Sequence, residues 1–274
     1  MNRRRNTTRN ETMLTELENE AQTCDVDCGT LGDDGISEKA FDWAKSIKTR
    51  LANTVVDLAR HPREESPFSV FMAGTPGAGK TEWRVNFFKR LQLKIVHIDP
   101  DDFRCVLPCY TGGNSHLFQR AASTLTERVL DRAFEKSVSF VLDGTFSSFN
   151  VASKNLRRSL DKGREVQIFF IHQDPLHSWK FVKAREIVEN RRITPEAFVN
   201  SYVGCHETIH QVLSCDEFST AINAKKLQLD VFTKYNDSKR RDSWRANVGA
   251  AEFKGMFGKR FTAEELRAKI ETPT

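Results

Sequence analysis

The chain has 274 residues, 39% of them hydrophobic and 29% charged, enough for one or two domains with full cores. Its 42 Lys and Arg against 37 Asp and Glu give a net charge of +5, which suits an anionic small substrate and is too weak to indicate nucleic acid. Its apolar runs, such as Val166 to Ile171, fall short of the roughly 20 residues that cross a bilayer, and basic Met1 to Arg5 leads into polar Asn6 to Glu20 rather than a signal-peptide core, so a cytoplasmic protein with neither membrane nor nucleic-acid partner is expected.

Residues 1–36 are polar, with acids at Glu16, Glu18, Glu20, Asp25 and Asp27 and glycines at Gly29, Gly32 and Gly35. That composition predicts a disordered or weakly helical tail. Residues 37–66 read as an amphipathic helix and linker. Phe41, Ala44, Ile47, Leu51, Val55 and Leu58 recur at steps of three and four, with Ser37 as N-cap and His61-Pro62 as the stop.

Residues 67–236 alternate strand and helix. Strands are expected at Phe68 to Ala73, Lys94 to Ile98, Ser139 to Leu142, Val166 to Ile171 and Leu229 to Thr233. Helices are expected at Glu82 to Leu91, Ser115 to Lys136, Val151 to Leu160 and His177 to Glu189, and from Thr194-Pro195-Glu196 to Leu213. This order predicts an α/β fold of the P-loop NTPase type, a doubly wound, mainly parallel sheet with helices on both faces. Residues 237–274 read as a tail, basic at Lys239-Arg240-Arg241, with a short helix from Thr262 to Ile270 that Thr262 and Glu265 open as a capping box.

Six cysteines fall at Cys24, Cys28, Cys105, Cys109, Cys205 and Cys215. Two pairs have C-x3-C rather than zinc-like C-x2-C spacing, and in a cytosolic chain reduced thiols are expected. His206 and His210, four apart on one helix, read as packed or solvated rather than as a metal pair.

The chemistry concentrates in Gly74-Thr75-Pro76-Gly77-Ala78-Gly79-Lys80-Thr81, a complete Walker A motif between a strand and a helix. Its glycines let backbone N–H groups curl around phosphates, Lys80 brings a mobile charge, and the Thr81 hydroxyl can ligate Mg²⁺. No Asn-Lys-x-Asp guanine-reading element occurs, so ATP is the expected nucleotide. Asp99, Asp101 and Asp102 end the second strand and Asp143 ends the third, where ligands of open α/β sheets sit. A kinase acting on an alcohol needs a carboxylate to accept the hydroxyl proton, and Asp101 or Asp99 could serve. Asp-Pro-Asp-Asp is also good turn chemistry. Arg185, Arg191 and Arg192 bracket a helix break, where P-loop kinases carry a lid whose arginines hold the moving phosphoryl group; solvated helix faces are the plainer fate of such residues.

From Pro67 to Asn236 the chain resembles the zeta-toxin family of P-loop kinases. The resemblance rests on the Walker loop, Ile98-Asp99-Pro100-Asp101-Asp102-Phe103-Arg104, Leu142-Asp143-Gly144-Thr145 and Arg192-Ile193-Thr194-Pro195. It implies phosphorylation of the 3′-hydroxyl of the amino sugar of UDP-N-acetylglucosamine, with ATP and Mg²⁺, by a toxin that a small protein antitoxin restrains. Asp101 matches the family's catalytic base, Lys80 and Thr81 its ATP and Mg²⁺ residues, and Arg192 and Arg185 its phosphate clamps. Glu127 and Thr145 fall at substrate-contacting positions, with Asp99 and Asp143 beside them. Asp143 stands where the family often has Glu. Another acceptor (a different UDP-sugar, a nucleotide, NAD or an antibiotic) and an ATP-binding regulator with little turnover are the competing expectations.

Overall fold

The computed structural model describes residues 9–24, 27–189, 191–235, 241–257 and 260–271. In chain order its elements are α1 (Arg9–Thr23), α2 (Asp33–Val55), β1 (Phe68–Ala73), α3 (Lys80–Leu91), β2 (Val96–Ile98), α4 (Gln119–Lys136), β3 (Phe140–Leu142), α5 (Phe149–Asp161), β4 (Glu165–Gln173), α6 (Pro175–Glu189), α7 (Pro195–Ser214), α8 (Asp216–Asn223), β5 (Leu227–Lys234), β6 (Ser243–Arg245), α9 (Ala250–Met256) and α10 (Ala263–Glu271). They divide into two units that interleave along the sequence. The first is Met1–Glu65, Lys94–Val138 and Asn190–Arg192; the second is Ser66–Leu93, Ser139–Glu189 and Ile193–Thr274.

In the first unit α2 packs along α4, α1 lies on α2, and both α2 and α4 touch β2. The stripe read from the sequence does the packing: Ala44, Ile47 and Leu51 are buried on α2, facing a core that includes Leu125, Val129 and Ala133 of α4. Fully burying one such leucine or valine is worth about 1.5–3 kcal/mol. The helix runs Asp33–Val55 rather than Ser37 to His61. Asp33 and Asp34 occupy its first turn, where carboxylates complement the helix dipole. At the other end Asp57 takes the backbone into a turn, its carboxylate accepting from the Ala59 N–H at 3.0 Å.

Where composition predicted a disordered or weakly helical tail, residues 9–23 form α1. Leu17 and Ala21, four apart on one face, are 1% and 3% exposed, and Glu20 pairs with Arg50 of α2. Burial of two apolar positions per turn pair outweighs a polar composition. The expectation of reduced thiols also fails at one place: Cys28 and Cys109, 81 residues apart, are joined by a disulfide. Cys24, Cys105, Cys205 and Cys215 are outside any disulfide. Met1 to Arg5 lie outside the described residues.

In the second unit the strands follow the order β3-β1-β4-β5-β6. β1 pairs with β3 and β4, and β4 with β5, all parallel; β6 closes on β5 antiparallel. The long β4–β5 register ends with Gln173 opposite Lys234. The mainly parallel α/β sheet with helices around it is the fold expected. Thr194 caps α7 by accepting the Ala197 N–H at 3.2 Å, as its sequence predicts. Asp174 caps α6, accepting from the Leu176 and His177 N–H groups at 2.9 and 3.1 Å, which starts that helix two residues earlier than expected. Thr262 and Glu265 exchange the two bonds of a capping box.

The C-terminal segment is no tail. Leu266 of α10 is buried against Val182, Phe198, Val199 and Tyr202. β6 is pinned by Asp230, which accepts from the Trp244 indole and the Asn247 N–H, both at 3.0 Å. The basic Lys239-Arg240 pair lies outside the described residues. His206 is packed, as read: it sits 2% exposed among the rings of Phe170, His172, Phe253 and Phe257. No helix among the described residues is long and apolar enough to cross a membrane.

Candidate active site

The Walker loop follows directly from a buried strand. β1 ends at Ala73, and Gly74 turns out of it at φ +133°, its N–H donating to Thr145 O at 3.1 Å. A Cβ at Gly74 would run into the carbonyl of Ile171 on β4, so only glycine lets the loop leave the sheet here. Gly79, at φ +84°, is the left-handed N-cap of α3. The first N–H groups of α3 have no partner within the helix, and its positive dipole end lies there, an arrangement suited to an anion. Lys80 donates to Gly74 O at 2.8 Å and Thr75 O at 2.9 Å, so its ammonium is held over the loop. Thr81 follows in the first turn of α3, its side chain at the surface.

Other predicted residues of the second unit sit near the same strand ends. Asp143, just past β3, is buried beside the Arg84 guanidinium of α3 at 3.3 Å. Thr145 shares a hydroxyl–hydroxyl bond of 2.8 Å with Ser147. Ser147 in turn lies against α7, where a Cβ at Gly204 would meet its carbonyl. Arg185 is exposed on α6. Thr81 and Asp143 offer hard oxygen donors, the kind Mg²⁺ takes; Asp143 meets that role with an arginine already alongside.

In the first unit the acidic turn divides its labour. The Asp99 carboxylate accepts the Asp101 N–H at 2.9 Å through Oδ1, a turn contact that engages one of its two oxygens. Asp101 is engaged by two arginines, one on each carboxylate oxygen: Arg104 on Oδ1 and Arg191 on Oδ2. Arg104 is itself buried and donates to the Gln119 side chain at 3.0 Å. Each carboxylate oxygen has two lone pairs, so each keeps one for a further donor. Arg191 is thus the second arginine on Asp101, and Arg192, expected as a phosphate clamp, is exposed beside it. Sequence reading cannot separate adjacent arginines in an irregular segment, because no periodicity assigns their directions. Glu127 is half-buried on α4, the helix that packs on the Asp102–Arg104 turn.

A family model described as Zeta toxin matches residues 52–232, more than half of the chain. Among curated relatives, the toxin PezT of Streptococcus pneumoniae is 28% identical over 137 residues, covering 47% of this chain and 54% of that protein. The toxin zeta of Enterococcus hirae is 23% identical over 142 residues, covering 48% and 49%. The chain thus spans about half the length of the curated relatives it matches. A solved structure from the PezAT toxin–antitoxin system of S. pneumoniae superposes with a TM-score of 0.60 at 19% identity, covering 86% of this chain and 96% of that one. A complex of AvrRxo1-ORF1 and AvrRxo1-ORF2 solved with ATP gives 0.53 at 17% identity, covering 98% and 79%. These structural likenesses concern the fold.

Proposed function

Because this chain belongs to the zeta toxin family, we propose that it is an ATP-dependent kinase acting on the 3′-hydroxyl of the amino sugar of UDP-N-acetylglucosamine, a cytoplasmic toxin held in check by a small protein antitoxin. The observation that carries the kinase reading is the Walker loop itself, complete from Gly74 to Thr81 between β1 and α3 and with Lys80 held over it.

The residues then divide the work. The N–H groups from Gly77 to Thr81 and the Lys80 ammonium hold the β- and γ-phosphates. Thr81 would hold Mg²⁺, with Asp143 as a second oxygen donor; the ion neutralises charge on the phosphates when bound. Asp101 accepts the proton of the acceptor hydroxyl with a lone pair its arginines leave open. Arg104 and Arg191 fix the orientation of that carboxylate. Arg192 and Arg185 take the roles of phosphoryl clamps, and Glu127, Thr145 and Asp99 those of acceptor-side groups.

The test is ADP release by the purified chain with ATP and Mg²⁺, with and without UDP-N-acetylglucosamine, beside Asp101→Asn and Lys80→Ala. Sugar-dependent release lost in both variants supports the reading. Nucleotide binding with no response to the sugar would keep the kinase and discard this acceptor. Full activity in Asp101→Asn would remove the assigned base.

A further inference from the structure

Beyond the Walker residues, a second lysine reaches the phosphate loop. Lys234 is the last residue of β5 and is 154 positions from Lys80 in sequence, yet its side chain lies across Gly79. A Cβ at Gly79 would fall on the Lys234 ammonium, and the Cδ and Cε of the same stem would lie 3.4 Å away. Gly79 therefore serves twice. It takes the left-handed φ of +84° that opens α3, and its missing side chain leaves the space through which Lys234 passes.

The electrostatics of that position point to an anion. Gly79 is the N-cap of α3, where the helix dipole and its unpaired N–H groups present positive charge. A cation held against a helix N-terminus is repelled by it, by a few tenths to about 1 kcal/mol where both are solvated and more where they are not. Lys80, also cationic, adjoins the same turn, its ammonium hydrogen-bonded to two loop carbonyls but still carrying its full charge. Lys234 has no carboxylate partner among the described residues. Two ammonium groups and a helix N-terminus converge on one turn, and a polyphosphate is the ligand that satisfies all three.

A second, independent feature lies next to it. Gln173 is the register partner of Lys234 on β4. Parallel partners in register project to the same face of the sheet. The Gln173 side chain is 1% exposed, and neither its amide oxygen nor its amide nitrogen has a hydrogen-bond partner among the described residues. A buried amide left unpaired costs about 1–3 kcal/mol, so its retention calls for a partner outside the protein.

We infer that Lys234, with the Gln173 amide beside it, extends the Walker loop into a wider polyphosphate site, Lys234 contacting the nucleotide phosphates from the β5 side. The inference rests on the nucleotide reading above and adds to it a residue that no Walker motif contains. Lys234 is a binding residue for the diphosphate, and Gln173 fills its hydrogen-bonding capacity only when ligand is present.

The experiment is titration calorimetry of the full chain with ADP and with adenosine, for the native protein, Lys234→Met, Lys234→Gln, Gln173→Leu and Lys80→Ala, with thermal unfolding of each. Lys234→Met and Lys234→Gln should weaken ADP about tenfold or more, the loss of one charge-assisted contact, and leave adenosine unchanged. Raising the salt concentration should weaken ADP less steeply in both variants than in the native chain. Gln173→Leu should weaken ADP while leaving the ligand-free midpoint equal to or above native, the opposite of a structural amide. Native ADP affinity in both Lys234 variants would overturn the inference while the Walker reading stood. Lys80→Ala without effect, in a chain that binds no ADP, would overturn both.

Discussion

Opening the Cys28–Cys109 disulfide should loosen the first unit, and the size of the effect follows from the chain it closes. The two cysteines are 81 residues apart. On the chain-entropy account of cross-links, closing a loop of that length removes about 15 cal/mol/K from the unfolded ensemble, or about 4.5 kcal/mol at 25 °C. The bridge joins the segment between α1 and α2 to the loop that follows the Asp101 turn, so the loss should appear in α2 and α4. Thiol titration of denatured, non-reduced protein should find four free thiols out of six. Urea unfolding should then show Cys28→Ser, Cys109→Ser and the reduced native chain all destabilised by a similar amount, with hydrogen exchange accelerated in α2 and α4. Cys105→Ser, at an exposed cysteine outside the bridge, should shift the midpoint far less. Six free thiols in protein purified without reductant, or an unfolding midpoint indifferent to Cys28→Ser, would refute the reasoning. The bond also bears on compartment. Cytosolic glutathione keeps most thiols reduced, so a cytoplasmic chain would work without this tie.

Other perturbations have equally definite signs. Burial among aromatic rings holds the His172 pKa down to about 4 and the His206 pKa down to about 2, against 6.5 for a free imidazole. Both stay neutral in the folded chain while the unfolded chain protonates them, so stability is fully present above pH 6.5 and declines as pH falls, with His172 levelling near 4 and His206 near 2. Each contributes a slope of about 1.4 kcal/mol per pH unit, and His206→Phe should remove about half the combined slope between pH 6 and 5 in urea titrations. Gly74→Ala should cost about 1–3 kcal/mol for its φ of +133° alone and abolish nucleotide binding, read by calorimetry and urea midpoint together. Leu17→Ala should destabilise the first unit by about 2–5 kcal/mol and release α1, seen as faster exchange of its amides. The Cys205 thiol, buried and pushed up to about 12, should resist alkylation in the native chain while Cys105 reacts.

What the sequence made legible was whatever is written in local pattern. The Walker loop, the Thr194 cap and the Thr262–Glu265 box each need only a few neighbouring residues, and each stands where it was read; of the α2 stripe Ala44, Ile47 and Leu51 are buried, while Leu58 lies past the end of the helix and is exposed. What it hid depends on distant partners. α1 is polar by composition and becomes a helix because Leu17 and Ala21 find a buried face. β6 is three residues long and exists because Asp230 pins it. In the Asp-Pro-Asp-Asp turn Asp99 makes the capping bond, while Asp101 meets two arginines that no local pattern announces. Lys234 carries no local signature at all; its meaning comes from the register that sets it beside Gln173 and the missing side chain at Gly79.

The way the two units share one polypeptide has a practical corollary. The chain enters the first unit, leaves it at Ser66, returns at Lys94, leaves again at Ser139 and touches it once more near Arg191. No single cut yields either unit whole. A fragment beginning at the Walker strand would keep α4 and the Asp101 turn but discard α2, the helix on which α4 rests. Trimming the N-terminus to the region of clearest family likeness would therefore strip the support from an acid far downstream. Proteolytic nicking before Pro67 should likewise be felt at Asp101 rather than at the phosphate loop. In this molecule the order of residues along the chain is a poor guide to which parts can be separated.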